Sequence, residues 1–97
     1  MNQLIIDTLK WADSRNLLDN TDPTRQAMKM VSEVGEFCDE VLKGDFEKQK
    51  MEMGDVIVTC ILTSHKLGFS IEEALQAALT KIKNRTGKVV NGVFVKD

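Results

Sequence analysis

The chain has 97 residues, 42% of them hydrophobic and 29% charged, a composition that fits one small folded domain and excludes a disordered chain. Its formal charge of -2 arises from interspersed acids and bases, which excludes a nucleic-acid footprint. No stretch nears the roughly 18 apolar residues of a membrane span. The start, MNQLIIDTLKWADSR, lacks the basic opening and apolar run of a signal peptide, so a cytoplasmic protein is expected.

Residues 2 to 17 carry Leu4, Ile5, Thr8, Leu9 and Ala12 at helical spacing. Asp22-Pro23 then offers a cap followed by proline at the first helical position, where its missing N–H is harmless. The second helix bears Ala27, Met30, Val31, Val34, Phe37, Cys38, Val41 and Leu42 on one side until Gly44 stops it. Asp45 caps a third helix that passes through Phe46, Met53, Val56, Ile57, Cys60 and Ile61 to Gly68. Ser70 with Glu73 makes a capping box for a fourth helix over about 71 to 85. After Gly87, VVNGVFV reads as two short strands around an Asn-Gly turn. Cys38 and Cys60 lie in apolar patterns without CxxC spacing and read as reduced core residues. The expected fold is therefore an all-α bundle of four helices with a short C-terminal hairpin or arm.

Between Val56 and Leu62 the order VIVTCIL is apolar nearly all round, and such a helix needs cover on more than one side. Burial against a second subunit is expected.

The acids of EVGE and EMGD pose a sharper question. Glu33 and Glu52 fall at a common angle, roughly 250°, from the apolar stripes centred on Val34 and on Met53 with Ile57. Glu36 and Asp55 share another, roughly 190° to 200°. Across the short Gly44-Asp45 turn the four carboxylates converge if helices two and three form an antiparallel hairpin. Solvated acids beside a core would look similar, and that account suits Asp39, Glu40, Glu47, Glu72 and Glu73. It suits Asp55 badly, because Asp55 shares a side with Val58 and Leu62 and would share their burial. A divalent cation relieves the repulsion, and clustered oxygens suit Mg²⁺ or Mn²⁺. His65 stands ten residues beyond Asp55 and reads as a surface or interface side chain rather than a zinc ligand.

E33-V-G-E36 followed by E52-M-G-D55 resembles the ExxE…ExxD signature of MazG-like all-α nucleoside triphosphate pyrophosphohydrolases. The likeness extends to Gln26 and Lys29 before the first pair, to G54-D55-V-I-V, to K81-I-K-N-R85-T-G-K and to the tail NGVFVKD. It departs at Met51, where many members carry a further acid. The resemblance implies cleavage of a nucleoside triphosphate, a dNTP by preference, between its α- and β-phosphates, as nucleotide-pool house-cleaning. It implies Mg²⁺, with Mn²⁺ as a substitute, held by Glu33, Glu36, Glu52 and Asp55. A carboxylate not wholly engaged with metal takes the proton from water, and Glu36 is the choice. Lys81, Asn84 and Arg85 resemble the element that grips the substrate phosphates, though bases at a helix end also complement its dipole. Lys29 either reaches phosphate or pairs with Glu33. Trp11 either stacks on the nucleobase or packs. A homodimer or homotetramer is expected, with a nucleoside triphosphate as the partner and neither nucleic acid nor membrane. Two alternatives stay open: a phosphoribosyl-ATP pyrophosphohydrolase, and a non-enzymatic helical interaction module.

Overall fold

The computed structural model describes residues 2–97 and consists of four helices followed by a two-stranded hairpin. Among the described residues no helix is long and apolar enough to cross a membrane.

Helix α1 spans Gln3–Ser14, with the Asn2 side chain accepting from the Leu4 N–H at 2.7 Å. It stops short of residue 17 because Asn16 turns left-handed at φ 60°. The Asn16 and Leu17 N–H groups then bond back to the Asp13 and Ala12 carbonyls, closing a Schellman motif. Helix α2 spans Pro23–Lys43, capped by Asp22 at its start and by left-handed Gly44 at its end. Asp45 follows at once as the cap of α3, Phe46–Leu67, so the α2–α3 connection has no slack. Helix α4, Ile71–Ile82, begins at the Ser70–Glu73 capping box. It ends three residues before the expected limit: the Arg85 N–H bonds to the Ile82 carbonyl at 3.0 Å, a turn that leads the chain out of the helix toward β1.

Strands β1, Gly87–Val90, and β2, Val93–Lys96, pair antiparallel with Val90 opposite Val93. Asn91 at φ 52° and Gly92 at φ 78° form the expected tight turn with two left-handed residues.

The α2–α3 hairpin is the frame of the molecule, and α1 and α4 each pack on α3 rather than on α2. The hairpin's seam is not the one that hydrophobicity suggests. On α2 the least exposed side chains are Gln26, Met30, Glu33, Phe37 and Glu40, spaced alternately four and three residues apart. On α3 the facing row is Gln49, Glu52, Val56, Thr59, Thr63 and Lys66, with the same alternation. Polar and apolar side chains thus share one coiled-coil-like seam. Of the α2 residues expected to face the core, Met30 and Phe37 do enter the seam, whereas Ala27, Val31, Val34, Cys38, Val41 and Leu42 point outward and are exposed. Cys38 is therefore a surface thiol in the single chain, not a core residue, while Cys60 is half-buried.

The core is thin. Ala12, Ile61 and Leu62 are the buried hydrophobic residues, and Gln26, Thr59, Thr63 and Ser64 are buried beside them. Thr59 and Thr63 satisfy their hydroxyls on the Val56 and Thr59 carbonyls of their own helix, both at 2.7 Å. Lys66 reaches back to the Leu18 carbonyl and ties the α1–α2 connection to α3. A compact domain of this length would have a radius of gyration of about 12–13 Å; this chain has 15.8 Å. The single chain does not gather its apolar surface into one centre.

Candidate active site

The seam explains how carboxylates come to be buried. Glu33 and Glu52 occupy seam positions on α2 and α3, and Glu36 stands one turn after Glu33 on the same flank. The zero-slack turn at Gly44-Asp45 fixes the antiparallel register that sets these rows opposite each other. Glu33, Glu36 and Glu52 each bring a carboxylate oxygen within 4.8 Å of the others. One oxygen of Glu33 and one of Glu52 are buried without any hydrogen-bond partner.

Proton affinity registers the crowding. Burial raises the Glu33 carboxyl above the ordinary range, and Glu36, Asp55 and Glu52 raise it further. Burial likewise raises Glu52, with added repulsion from Glu36, Asp55 and Glu40. Asp55 therefore acts on both half-buried acids, although its own side chain is exposed rather than covered with Val58 and Leu62. One turn beyond Glu52 on the outer flank of the seam, it meets solvent in the single chain.

Glu40 corrects the expectation more fully. It was grouped with the solvated acids, yet its side chain is 13% exposed, and it pairs with Lys43 at 3.6 Å. Its second oxygen is buried without a partner. The signal was available: Glu40 lies seven residues after Glu33 and four after Glu36, hence on the same helical face. Met51, the point of departure from the resembled motif, is 70% exposed and outside the group.

The donor set consists of hard carboxylate oxygens whose buried members lack protein partners, and this fits a divalent cation such as Mg²⁺ or Mn²⁺. Histidine takes no part. His65 is exposed and borders a separate cavity of 250 Å³ with Ile5, Leu9 and Phe69.

Beside the acids runs a wider groove of 790 Å³ between α1 and α3. Trp11, 49% exposed, lines it from α1, and Gly54, Asp55, Ile57 and Val58 line it from α3. Asp55 thus borders both the groove and the carboxylate cluster. The basic residues are less gathered. Lys29 is exposed in a small recess with Asn20, Arg25 and Gln26, and no ion pair joins it to Glu33 among the described residues. Lys81 lies in the last turn of α4, whereas Asn84 and Arg85 lie past the helix end, with the Arg85 N–H bonded to the Ile82 carbonyl at 3.0 Å. Lys81 and Arg85 are therefore not neighbours on one helical face, as a longer α4 would have made them.

An uncharacterized 18.2 kDa protein from the rep-hol intergenic region of Haemophilus phage HP1 (strain HP1c1) is 34% identical over 62 residues. That stretch is 64% of this chain and 38% of the phage protein, so the chain spans well under half of that relative's length. No solved structure matches significantly. The stretch that carries the acidic hairpin does have a recognised kin: residues 22–90 match the MazG nucleotide pyrophosphohydrolase domain, and the chain belongs to that family.

Proposed function

We propose that the protein hydrolyses nucleoside triphosphates, deoxynucleotides by preference, to the monophosphate and pyrophosphate, clearing them from the nucleotide pool. The observation that carries this reading is the set of partnerless, buried carboxylate oxygens in the hairpin seam. An apolar or amide seam would pack α2 on α3 with less repulsion, so these acids serve something other than stability.

Glu33, Glu36 and Glu52, with Asp55 beside them, hold the divalent ion, Mg²⁺ or Mn²⁺ in its place. When bound, such an ion supplies positive charge against the phosphates and acidifies the attacking water. Glu36 is the exposed member of the cluster, the one a solvent water reaches most readily. It accepts the proton as the water oxygen bonds to the α-phosphorus. The bond from that phosphorus to the bridging oxygen breaks, and pyrophosphate leaves with its electron pair. Trp11 offers a ring face to the nucleobase in the groove that Asp55 shares with the acids. Lys29, Lys81, Asn84 and Arg85 are assigned to the phosphate oxygens, Arg85 through its guanidinium fork.

The exposed α2 stripe gives the assembly its form. Ala27, Val31, Val34, Cys38 and Val41 recur at the alternating four- and three-residue spacing of a helix–helix seam. Pairing that stripe with a second copy gives a homodimer, or a homotetramer if further apolar faces join. Hydrolysis is tested by measuring phosphate after added pyrophosphatase, with dNTPs, NTPs and phosphoribosyl-ATP in the presence of Mg²⁺. Pyrophosphate release from dNTPs that vanishes in Glu52→Gln is the expected result. Release from phosphoribosyl-ATP alone reassigns the substrate, and release from none removes the enzymatic reading.

A further inference from the structure

The α1 wall of the groove holds a charged group that the reaction does not use. Asp7 lies one turn before Trp11, so the two side chains share a face of α1, and both line the groove. Gln3 Nε2 donates to Asp7 Oδ1 at 2.8 Å, which orients the carboxylate and leaves its second oxygen open. No cation lies within ion-pair distance of Asp7 among the described residues. The rest of the groove is largely apolar, with Leu4, Ile5, Ile57, Val58 and Ile61. An oriented, uncompensated carboxylate beside a ring platform is suited to a ligand edge that carries hydrogen-bond donors.

We infer that Asp7 selects the nucleobase and that it selects guanine. The inference rests on the triphosphate reading above, because continuity with the acids through Asp55 is what puts a base in this groove. Guanine presents the N1–H and an N2–H side by side, two parallel donors that meet the two oxygens of one carboxylate. Adenine and cytosine present a single amino donor next to a ring-nitrogen acceptor, and that acceptor faces the negative charge. Thymine carries one N3–H flanked by two carbonyl oxygens. Hypoxanthine keeps the N1–H of guanine and lacks its amino group, so it isolates the second hydrogen bond. Because each carboxylate oxygen has more than one lone pair, the bond from Gln3 does not prevent the pairing.

The experiment compares dGTP, dITP and dATP as substrates of wild type and of Asp7→Asn. In parallel, dGMP and dAMP are titrated against the fluorescence of Trp11, the single tryptophan of the chain. A good bidentate pair discriminates by about tenfold or more, and the lower end applies in a groove open to water. Wild type is expected to favour dGTP over dATP by about tenfold in kcat/KM, with dITP between them. Asp7→Asn, which replaces one acceptor by a donor, is expected to bring dGTP and dATP to within about threefold of each other. Trp11 quenching is expected to follow the same order without any turnover. Triphosphate hydrolysis with no guanine preference, or with a preference that survives Asp7→Asn, overturns the role of Asp7 and leaves the hydrolase reading standing. Absence of all hydrolysis strikes the hydrolase reading. The dGMP and dAMP titrations still judge Asp7 in that case, since equal quenching by both overturns it.

Discussion

Removing and restoring the divalent ion should move thermal stability by an amount that one carboxylate controls. In the metal-free protein Glu33 and Glu52 are held above their ordinary proton affinity, burial being the main cause and neighbouring acids the next. A carboxyl with a raised folded-state pKa binds more protons folded than unfolded, so stability falls as pH rises through that interval. Metal-free protein should therefore melt at a higher temperature near pH 5 than near pH 8. Adding the ion should reverse this trend, because it competes with protons for the same oxygens. At a hundredfold excess over Kd, binding to the native state alone contributes about 2.7 kcal/mol. For a domain of this size each kcal/mol shifts Tm by roughly 4–8 °C, so the ion should raise Tm by about 11–22 °C at pH 8. Losing one anchoring carboxylate weakens metal binding by about a hundredfold, judged from the 10- to 100-fold losses seen for groups one shell further out. The same ion concentration then equals Kd, and the gain shrinks to RT ln 2, about 0.4 kcal/mol or 2–3 °C. Glu52→Gln should show that small shift, together with a metal-free Tm no lower than that of wild type at pH 8. Differential scanning fluorimetry with and without Mg²⁺, at both pH values, measures all of these. A full metal shift retained by Glu52→Gln, or a metal-free Tm that rises toward pH 8, would refute the placement of the ion in the seam.

Three further outcomes follow from the arrangement. Asp55→Asn should abolish turnover in the pyrophosphate-release assay while far-UV circular dichroism stays unchanged, since its side chain is exposed and carries no packing. Val34→Asp, on the outward α2 stripe, should shift the protein toward monomer in light scattering at micromolar concentration. Val58→Asp is the poorer probe, because Val58 lines the α1–α3 groove of its own chain; a wild type that is already monomeric would contradict the assembly. Arg85→Ala should lower kcat/KM for all four dNTPs by a similar factor, about tenfold for the loss of about 1.4 kcal/mol, whereas Trp11→Ala should reorder the bases. The opposite pattern in the two variants would show that they contact the other ends of the substrate.

Much of the frame was legible because local signals fix local structure. Asp22-Pro23, Gly44-Asp45, Gly68 and the Ser70–Glu73 box each bound a helix where capping chemistry requires it, and Asn91-Gly92 forms the turn that its two left-handed residues demand. The seam was not legible in the same way. Two rows on α2 have the same alternating spacing, one apolar through Val34 and one mixed through Glu33, and hydrophobicity alone favours the first. Burial of the mixed row sets carboxylate oxygens beside Met30 and Phe37, an arrangement that hydrophobicity does not reveal. Glu40 was lost for the same reason, being read against the apolar stripe instead of against Glu33 and Glu36. The ends of α1 and α4 fall earlier than the pattern suggests because Asn16 turns left-handed and because the turn after Ile82 has no local signal as plain as a glycine or proline.

The match to the family opens at residue 22, after α1 has ended, and so contains the acidic hairpin but not Trp11 or Asp7. Since α1 touches the hairpin only through α3, with Ala12 as the fully buried point, the inventory of acids and the wall of the groove occupy separate pieces of chain. On the proposed reading, a substitution at Asp7 or Trp11 changes which ring the groove accepts and leaves every carboxylate of the hairpin in place.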